Sequence, residues 1–116
     1  MHVRRVVPNI RANDLAATRD FYIDTLGFQV VMDHGWIVTV SAPGDPQRQI
    51  SIVGTDATAP VHPDISIEVE DVDAAYAKAR QQGHEIVHPL TDEPWGVRRF
   101  FCRDPSGTVL NILSHR

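Results

Sequence analysis

An internal repeat with a period of 57 residues constrains the fold of this sequence more than any other feature. Asp14 of the first copy corresponds to Asp71 of the second, and the segments that follow them end at Gly27 and Gly83. In each copy a short β-like run precedes the aspartate and an amphipathic segment follows it. A module of this size cannot bury a complete core alone, so we expect the two halves to pack or pair with each other.

The patterning predicts the same order of elements in both copies. Asn13 or Asp14 in the first copy and Asp71 in the second are suited to cap the start of a helix, and a glycine is suited to end one. Alternating apolar residues predict one strand before each cap and three short strands after each helix. The expected fold class is α+β, with two tandem βαβββ modules whose mixed β-sheets form a cleft. We expect one domain, with module one at about 1–54, a linker at about 55–63 and module two at about 64–116.

Helical spacing predicts which side of each helix faces its sheet. For the first helix the expected buried stripe is Leu15, Tyr22 and Leu26, with Phe21 beside it. For the second helix the positions i, i+3, i+4 and i+7 are apolar, namely Val72, Ala75, Tyr76 and Ala79.

Composition argues against several classes of function. The net charge of -4 and the lack of a basic cluster disfavour a nucleic-acid partner. No apolar stretch is long enough to span a membrane, and no apolar leader follows Met1. Cys102 is the only cysteine, which excludes a disulfide framework and a zinc ribbon. We therefore expect a cytoplasmic protein that binds neither nucleic acid nor membrane.

Three segments resemble the vicinal oxygen chelate superfamily, which contains glyoxalase I, extradiol dioxygenases, fosfomycin-resistance enzymes and bleomycin-resistance proteins. The resemblance covers essentially the whole chain. Its segments are Asp14-Leu15 with Phe21-Tyr22 and Leu26-Gly27-Phe28, then residues 69–75, then Pro94-Trp95-Gly96 through Asp104-Pro105 to Gly107. The resemblance implies the repeated βαβββ fold and a homodimer. It does not fix an activity, because this superfamily supports many activities on one scaffold.

In the metal-using members, strands of both repeats supply His, Gln or Glu ligands. The resemblance places these positions at Val7, Ser51, Asp64 and Asn111 of this chain. Valine has no lone pair to offer, serine and asparagine are neutral donors, and Asp64 alone is anionic. A catalytic zinc site needs three protein ligands, and a non-haem iron site needs two histidines and a carboxylate. We therefore expect no metal, no other cofactor and no catalytic residue.

Strand alternation predicts which side chains line the cleft. In the second repeat Ile65, Ile67 and Val69 should face the helix, which leaves the polar positions between them on the other side. Trp36 and Trp95 could stack on a planar ligand, or they could be packing residues. Arg98 could reach the pocket, or it could form a surface ion pair. The predicted ligand-binding residues are Asn9, Trp36, Gln49, Ser51, Asp64, Glu68, Trp95, Arg98, Phe100 and Asn111.

These features favour a metal-free protein that resembles bleomycin-resistance proteins and sequesters a planar or cationic antibiotic. Such a pocket combines a few convergent polar groups with apolar walls. The alternative is a metal-dependent enzyme of the glyoxalase (lyase) or dioxygenase type, with a degenerate metal site around Asp64. A third hypothesis is a regulatory module that uses the cleft for a metabolite.

Overall fold

The computed structural model describes all 116 residues and contains eight strands and two helices in the predicted order. The first βαβββ module consists of β1 (Val3–Arg11), α1 (Leu15–Leu26), β2 (Gln29–Asp33), β3 (Ile37–Ala42) and β4 (Asp45–Val53). The second consists of β5 (Ile65–Val69), α2 (Val72–Gln81), β6 (Ile86–Asp92), β7 (Val97–Arg103) and β8 (Val109–His115). The predicted α+β class and the repeated βαβββ order are confirmed.

The chain divides into two compact units, and their boundary differs from the predicted one in one respect. The first unit is Val7–Thr58, and the second unit combines Met1–Val6 with Ala59–Arg116. Residues 54–64 form no helix or strand, as expected of a connecting segment. The start of β1 belongs to the second unit, where the Glu70 amide donates a hydrogen bond of 3.0 Å to the His2 carbonyl oxygen. Local patterning did not predict that the start of β1 belongs to the second unit, because this assignment depends on contacts between residues distant in sequence.

In the first unit the strand order is β2-β3-β4-β1, with β1 parallel to β4 and the other pairs antiparallel. The Asp14 carboxylate accepts a hydrogen bond of 3.0 Å from the Ala17 amide, so Asp14 rather than Asn13 caps α1. The helix ends at Gly27, whose φ of 73° lies in the left-handed region that favours glycine. The core between this sheet and α1 consists of Ala12, Val38, Val40 and Ile52.

The predicted buried stripe of α1 is only half correct. Leu15 and Tyr22 pack against the core, but Leu26 is 51% exposed and Phe21 is 53% exposed. The turn at Gly27 returns the chain, and the Phe28 ring then lies 5.7 Å from the Tyr22 ring. Phe28 thus packs at the end of the helix where the periodicity had placed Leu26.

In the second unit the strand order is β5-β8-β7-β6, with β5 parallel to β8 and the other pairs antiparallel. Asp71 caps α2 by accepting a hydrogen bond of 3.0 Å from the Ala74 amide. The predicted stripe of α2 is confirmed, since all four of its residues belong to or pack against the core that contains Val69, Phe100 and Cys102. Neither helix is long and apolar enough to cross a membrane.

Phe100 lies in this core rather than on a ligand-binding surface. Its side chain is 0% exposed, and its ring lies 5.0 Å from the Tyr76 ring on α2. The prediction that Phe100 lines the cleft is therefore wrong.

Replacement of Phe100 with alanine should lower the free energy of unfolding by about 3–5 kcal/mol, because it removes a fully buried ring and leaves a cavity. Phe21→Ala is the matched control, and since Phe21 is 53% exposed its change should stay within about 1 kcal/mol. Urea denaturation monitored by circular dichroism measures both values. Equal losses for the two variants would contradict the assignment of Phe100 to the core.

Candidate functional site

One face of the second unit's sheet carries most of its buried polar side chains. The core under α2 includes Ile67 of β5, Ile112 of β8 and Phe100 of β7. Because side chains alternate along a strand, the neighbouring residues point to the opposite side of the sheet. We call this side the polar face, and it consists of Ser66, Glu68, His88, Arg99, Phe101, Asn111 and Leu113.

Three predicted ligand-binding residues lie in or next to the parallel strand pair of β5 and β8. Asn111 is on β8, Glu68 is on β5, and Asp64 directly precedes β5. The Cα partner of Asn111 is Ser66, and the Asn111 amide nitrogen donates a hydrogen bond of 3.0 Å to the Ser66 hydroxyl. The Asn111 carboxamide oxygen is buried and has no hydrogen-bond partner. Asp64 lies at the start of the same strand pair, where its carboxylate accepts a contact of 3.4 Å from the Val109 amide. The hydrogen bond to Ser66 therefore holds the Asn111 carboxamide in place, and its oxygen remains without a hydrogen-bond donor.

Glu68 is held by two basic side chains. One carboxylate oxygen lies 2.7 Å from Arg5 Nε, and the other lies 2.7 Å from His115 Nδ1. Burial alone would raise the pKa of the Glu68 carboxyl, but the hydrogen bonds and charges of His115 and Arg5 outweigh burial and hold this pKa below its usual value. Both oxygens of Glu68 thus already have cationic or hydrogen-bonding partners.

A buried charge cluster occupies the β6–β7 end of the polar face. Arg99 forms an ion pair with Glu93, and both side chains are only 5% exposed. The Arg99 guanidinium carbon lies 4.9 Å from the Trp95 ring centre and 4.8 Å from the Phe101 ring centre. His88 Nε2 lies 3.9 Å from the same Glu93 oxygen. The predicted residue Trp95 is therefore part of a cation–π arrangement within this unit.

The sequence reasoning chose the wrong arginine of the Arg98-Arg99 pair. Arg98 points to the helix side of β7 and forms ion pairs with Asp73 of α2, at 2.8 Å, and with Asp92, at 3.3 Å. The prediction that it reaches the cleft is wrong, and its alternative role as a surface ion-pair partner is confirmed. The signal that could have identified Arg99 is the acidic Glu93, which lies in the turn between β6 and β7, two residues before Trp95.

In the first unit the predicted residues Asn9 and Ser51 are adjacent. They are Cα partners on β1 and β4, and the Ser51 hydroxyl forms a hydrogen bond of 2.8 Å with Thr39 of β3. All three side chains are buried and lie on the side of the sheet away from α1. Gln49 lies on the same side and donates a hydrogen bond of 2.8 Å to the Pro46 carbonyl oxygen. Trp36 is half-buried just before β3, so its role in stacking stays a prediction.

Strand register supports the equivalence of Ser51 and Asn111 that the resemblance implies. Asn9 and Ser66 are 57 positions apart, and their partners on the parallel neighbouring strands are Ser51 and Asn111. The two residues therefore occupy the same place in the two modules.

The residues at the four ligand positions do not fit a first-row metal. Val7 is buried and offers no donor atom, and Ser51 shares its hydroxyl with Thr39. Asn111 offers one neutral oxygen, so Asp64 is the only anionic donor. No group of three or more His, Cys, Asp or Glu side chains elsewhere could hold a metal ion. The donor chemistry falls short of the three protein ligands that a zinc site needs.

Replacement of Arg99 with methionine should lower the free energy of unfolding by about 3–5 kcal/mol, because the buried Glu93 carboxylate loses its cation. Arg98→Met is the matched control on the other side of β7, and it should cost about 1 kcal/mol or less since Arg98 pairs with exposed carboxylates. Urea denaturation gives both values. A larger loss for Arg98→Met would contradict the assignment of faces on β7.

The Glu68 carboxylate should stabilise the fold near neutral pH and lose this effect in acid. Its pKa is lowered in the folded state, so the contribution is present above the unfolded-state pKa and disappears as the pH falls through the folded-state pKa. Glu68→Gln should therefore cost about 1 kcal/mol near pH 7 and less near pH 3. Urea denaturation at the two pH values measures the difference. Glu85→Gln, which removes an exposed partner of Arg103, should change stability by less than about 0.5 kcal/mol at either pH.

Comparison with known proteins places this geometry in a family. The family model described as "Glyoxalase/Bleomycin resistance protein/Dioxygenase superfamily" matches residues 2–112. Curated protein sequences give no match.

Three solved structures illustrate the similarity. A superfamily member from Vibrio splendidus 12B01 has a TM-score of 0.75 at 19% identity, covering 97% of this chain and 99% of that one. Methylmalonyl-CoA epimerase from Mycobacterium tuberculosis has a TM-score of 0.72 at 19% identity, covering 98% and 87%. NAD-dependent benzaldehyde dehydrogenase from Legionella pneumophila has a TM-score of 0.77 at 16% identity, covering 96% and 99%. At these identities the likeness concerns the fold alone. The family model, which spans nearly the whole sequence, shows that this chain belongs to the glyoxalase/bleomycin resistance protein/dioxygenase superfamily.

Proposed function

We propose that this chain is a cytoplasmic protein that binds a small organic molecule without a metal and without breaking a bond in it. The observation that carries the proposal is the Asn111 carboxamide. Its nitrogen is committed to Ser66, while its buried oxygen has no hydrogen-bond partner. An unsatisfied buried acceptor costs about 1–3 kcal/mol, and a ligand with an N–H or O–H donor would recover that energy.

The position of Asn111 supports a ligand-binding role rather than a metal-binding role. It is equivalent to Ser51 in the other module, and the superfamily's metal-using members place a metal ligand at these positions. A carboxamide and a hydroxyl can hydrogen-bond an organic molecule but are weak ligands for a divalent ion. The alternative of a metal-dependent glyoxalase or dioxygenase therefore lacks a supporting observation.

The charges favour a ligand with a cationic group close to Asp64. Glu68 already contacts Arg5 and His115, so its carboxylate is largely neutralised. Asp64 is exposed, and its only side-chain contact is with the Val109 amide. A planar ligand that stacks on Trp95 would have to use the ring face that Arg99 does not cover. These features fit the planar or cationic antibiotics that the resemblance to bleomycin-resistance proteins suggested. The proposal also includes the homodimer that the same resemblance implied.

Bleomycin, which is both planar in part and cationic, is the first ligand to test. Titration calorimetry in the presence of EDTA should show saturable binding, and Asn111→Leu should weaken it at least tenfold because a neutral hydrogen bond is lost in a buried place. Asn13→Leu is the control, since Asn13 is exposed in the loop before α1.

Four results would count against parts of this proposal. Absence of saturable heat would contradict antibiotic sequestration, and binding that requires an added divalent metal would favour the enzyme alternative. Equal affinity of the wild type and Asn111→Leu would remove Asn111 from the site. Sedimentation velocity decides the homodimer, which a monomeric mass at micromolar concentration would contradict.

A further inference from the structure

A second candidate site lies at the carboxyl ends of the parallel strands β5 and β8. A surface pocket of about 260 Å³ is lined there by Arg4, Glu68, Val69, Glu70, Ser114 and His115. Every one of these residues belongs to the second unit. The volume is slightly below the range of about 300–1,000 Å³ that drug-sized ligands need, so the pocket suits a smaller molecule.

The wall of this pocket is already ordered by polar contacts. Glu68 accepts from Arg5 and His115 at 2.7 Å each. The Ser114 hydroxyl donates a hydrogen bond of 2.7 Å to the Val69 carbonyl oxygen, which fixes the end of β8 against the end of β5. Because Arg5 and His115 already contact both oxygens of Glu68, this carboxylate should attract a ligand only weakly.

Two opposite charges of the lining are not used in this way. Arg4 and Glu70 are exposed, and neither side chain forms an ion pair or a hydrogen bond in the structure. The backbone contact between the Glu70 amide and the His2 carbonyl oxygen keeps the two strand segments that carry them side by side. The pocket therefore offers one guanidinium and one carboxylate to a small molecule.

We propose that this pocket binds a small zwitterion of the α-amino acid class. The ligand carboxylate would pair with Arg4, whose planar guanidinium can donate two parallel hydrogen bonds to it, and the ligand ammonium would pair with Glu70. His115 contacts Glu68 through Nδ1, which leaves Nε2 as a further polar group of the lining.

The same charges argue against other ligand classes. A phosphate dianion would meet Arg4 but would be repelled by Glu70, and a simple cation would meet Glu70 but would be repelled by Arg4. A zwitterion with neighbouring opposite charges satisfies both residues. The proposal does not depend on Asn111 or Asp64, because neither of them lines this pocket. Glu68 is shared with the polar face, but Arg5 and His115 already hold both oxygens of its carboxylate.

The test is an NMR titration of the full chain with L-alanine. Matched probes are L-alaninamide, which lacks the carboxylate, N-acetyl-L-alanine, which lacks the ammonium, and inorganic phosphate. We expect L-alanine to give saturable shifts at residues 2–5, 68–70 and 113–116, and each matched probe to bind at least tenfold more weakly.

Two variants assign the charges. Arg4→Gln should weaken the binding of L-alanine at least tenfold and leave the weak binding of L-alaninamide unchanged. Glu70→Gln should also weaken the binding of L-alanine at least tenfold, and it should leave the weak binding of N-acetyl-L-alanine unchanged. Arg11→Gln is the control, because Arg11 is an exposed arginine on the same strand but in the first unit. Well-dispersed spectra of each variant establish that it is folded.

Three outcomes would overturn the proposal. They are a lack of saturation by L-alanine at up to about 50 mM, equal binding of L-alaninamide or N-acetyl-L-alanine, and tighter binding of phosphate. Each can occur whether or not bleomycin binds, so failure here is distinct from failure of the proposed function.

Discussion

The parallel pairing of the first strand with the last strand in each module is the constraint on which the rest of this structure depends. The helix and the two strands that follow it must return the chain so that β4 lies beside β1 in the first module, and β8 lies beside β5 in the second. This pairing places the helix over one side of the sheet and leaves the polar residues of both strands on the other side. It also makes Asn9 a neighbour of Ser51, and Ser66 a neighbour of Asn111. The candidate ligand-binding groups are thus products of register rather than of local sequence.

Charge in the second unit is arranged mainly by pairing. Arg99 and Glu93 are almost completely buried together, and the guanidinium is also enclosed by two aromatic rings. A pair of this kind is costly to desolvate, and loss of either partner leaves an uncompensated charge. Its most direct consequence is structural, because it fixes the hairpin between β6 and β7 and sets the position of Trp95. Glu68, in contrast, is shared between a strand arginine and a histidine near the surface.

Much of the fold could be predicted because the two copies of the repeat carry the same caps at the same spacing. The alternation of β5 was readable because its apolar and polar residues are cleanly separated. That of β7 was not, because Val97 and Phe101 on one side and Phe100 and Cys102 on the other are all buried. A strand that is buried on both sides gives no signal of its register, and an error of one residue exchanges its faces. Arg98 and Phe100 were misplaced for this reason, and Arg99 was missed.

The sequence by itself determined the βαβββ repeat and the position of both helix starts, with Asp71 as one cap and Asn13 or Asp14 as the other. These properties follow from residue types and short spacings, which act through local hydrogen bonds and side-chain chemistry. Only the tertiary structure decided that β1 begins in the second unit, that Glu68 is bound by Arg5 and His115, and that Trp95 covers Arg99. These contacts join residues that are distant in sequence or lie across a hairpin, so they arise only when strands meet in a particular register.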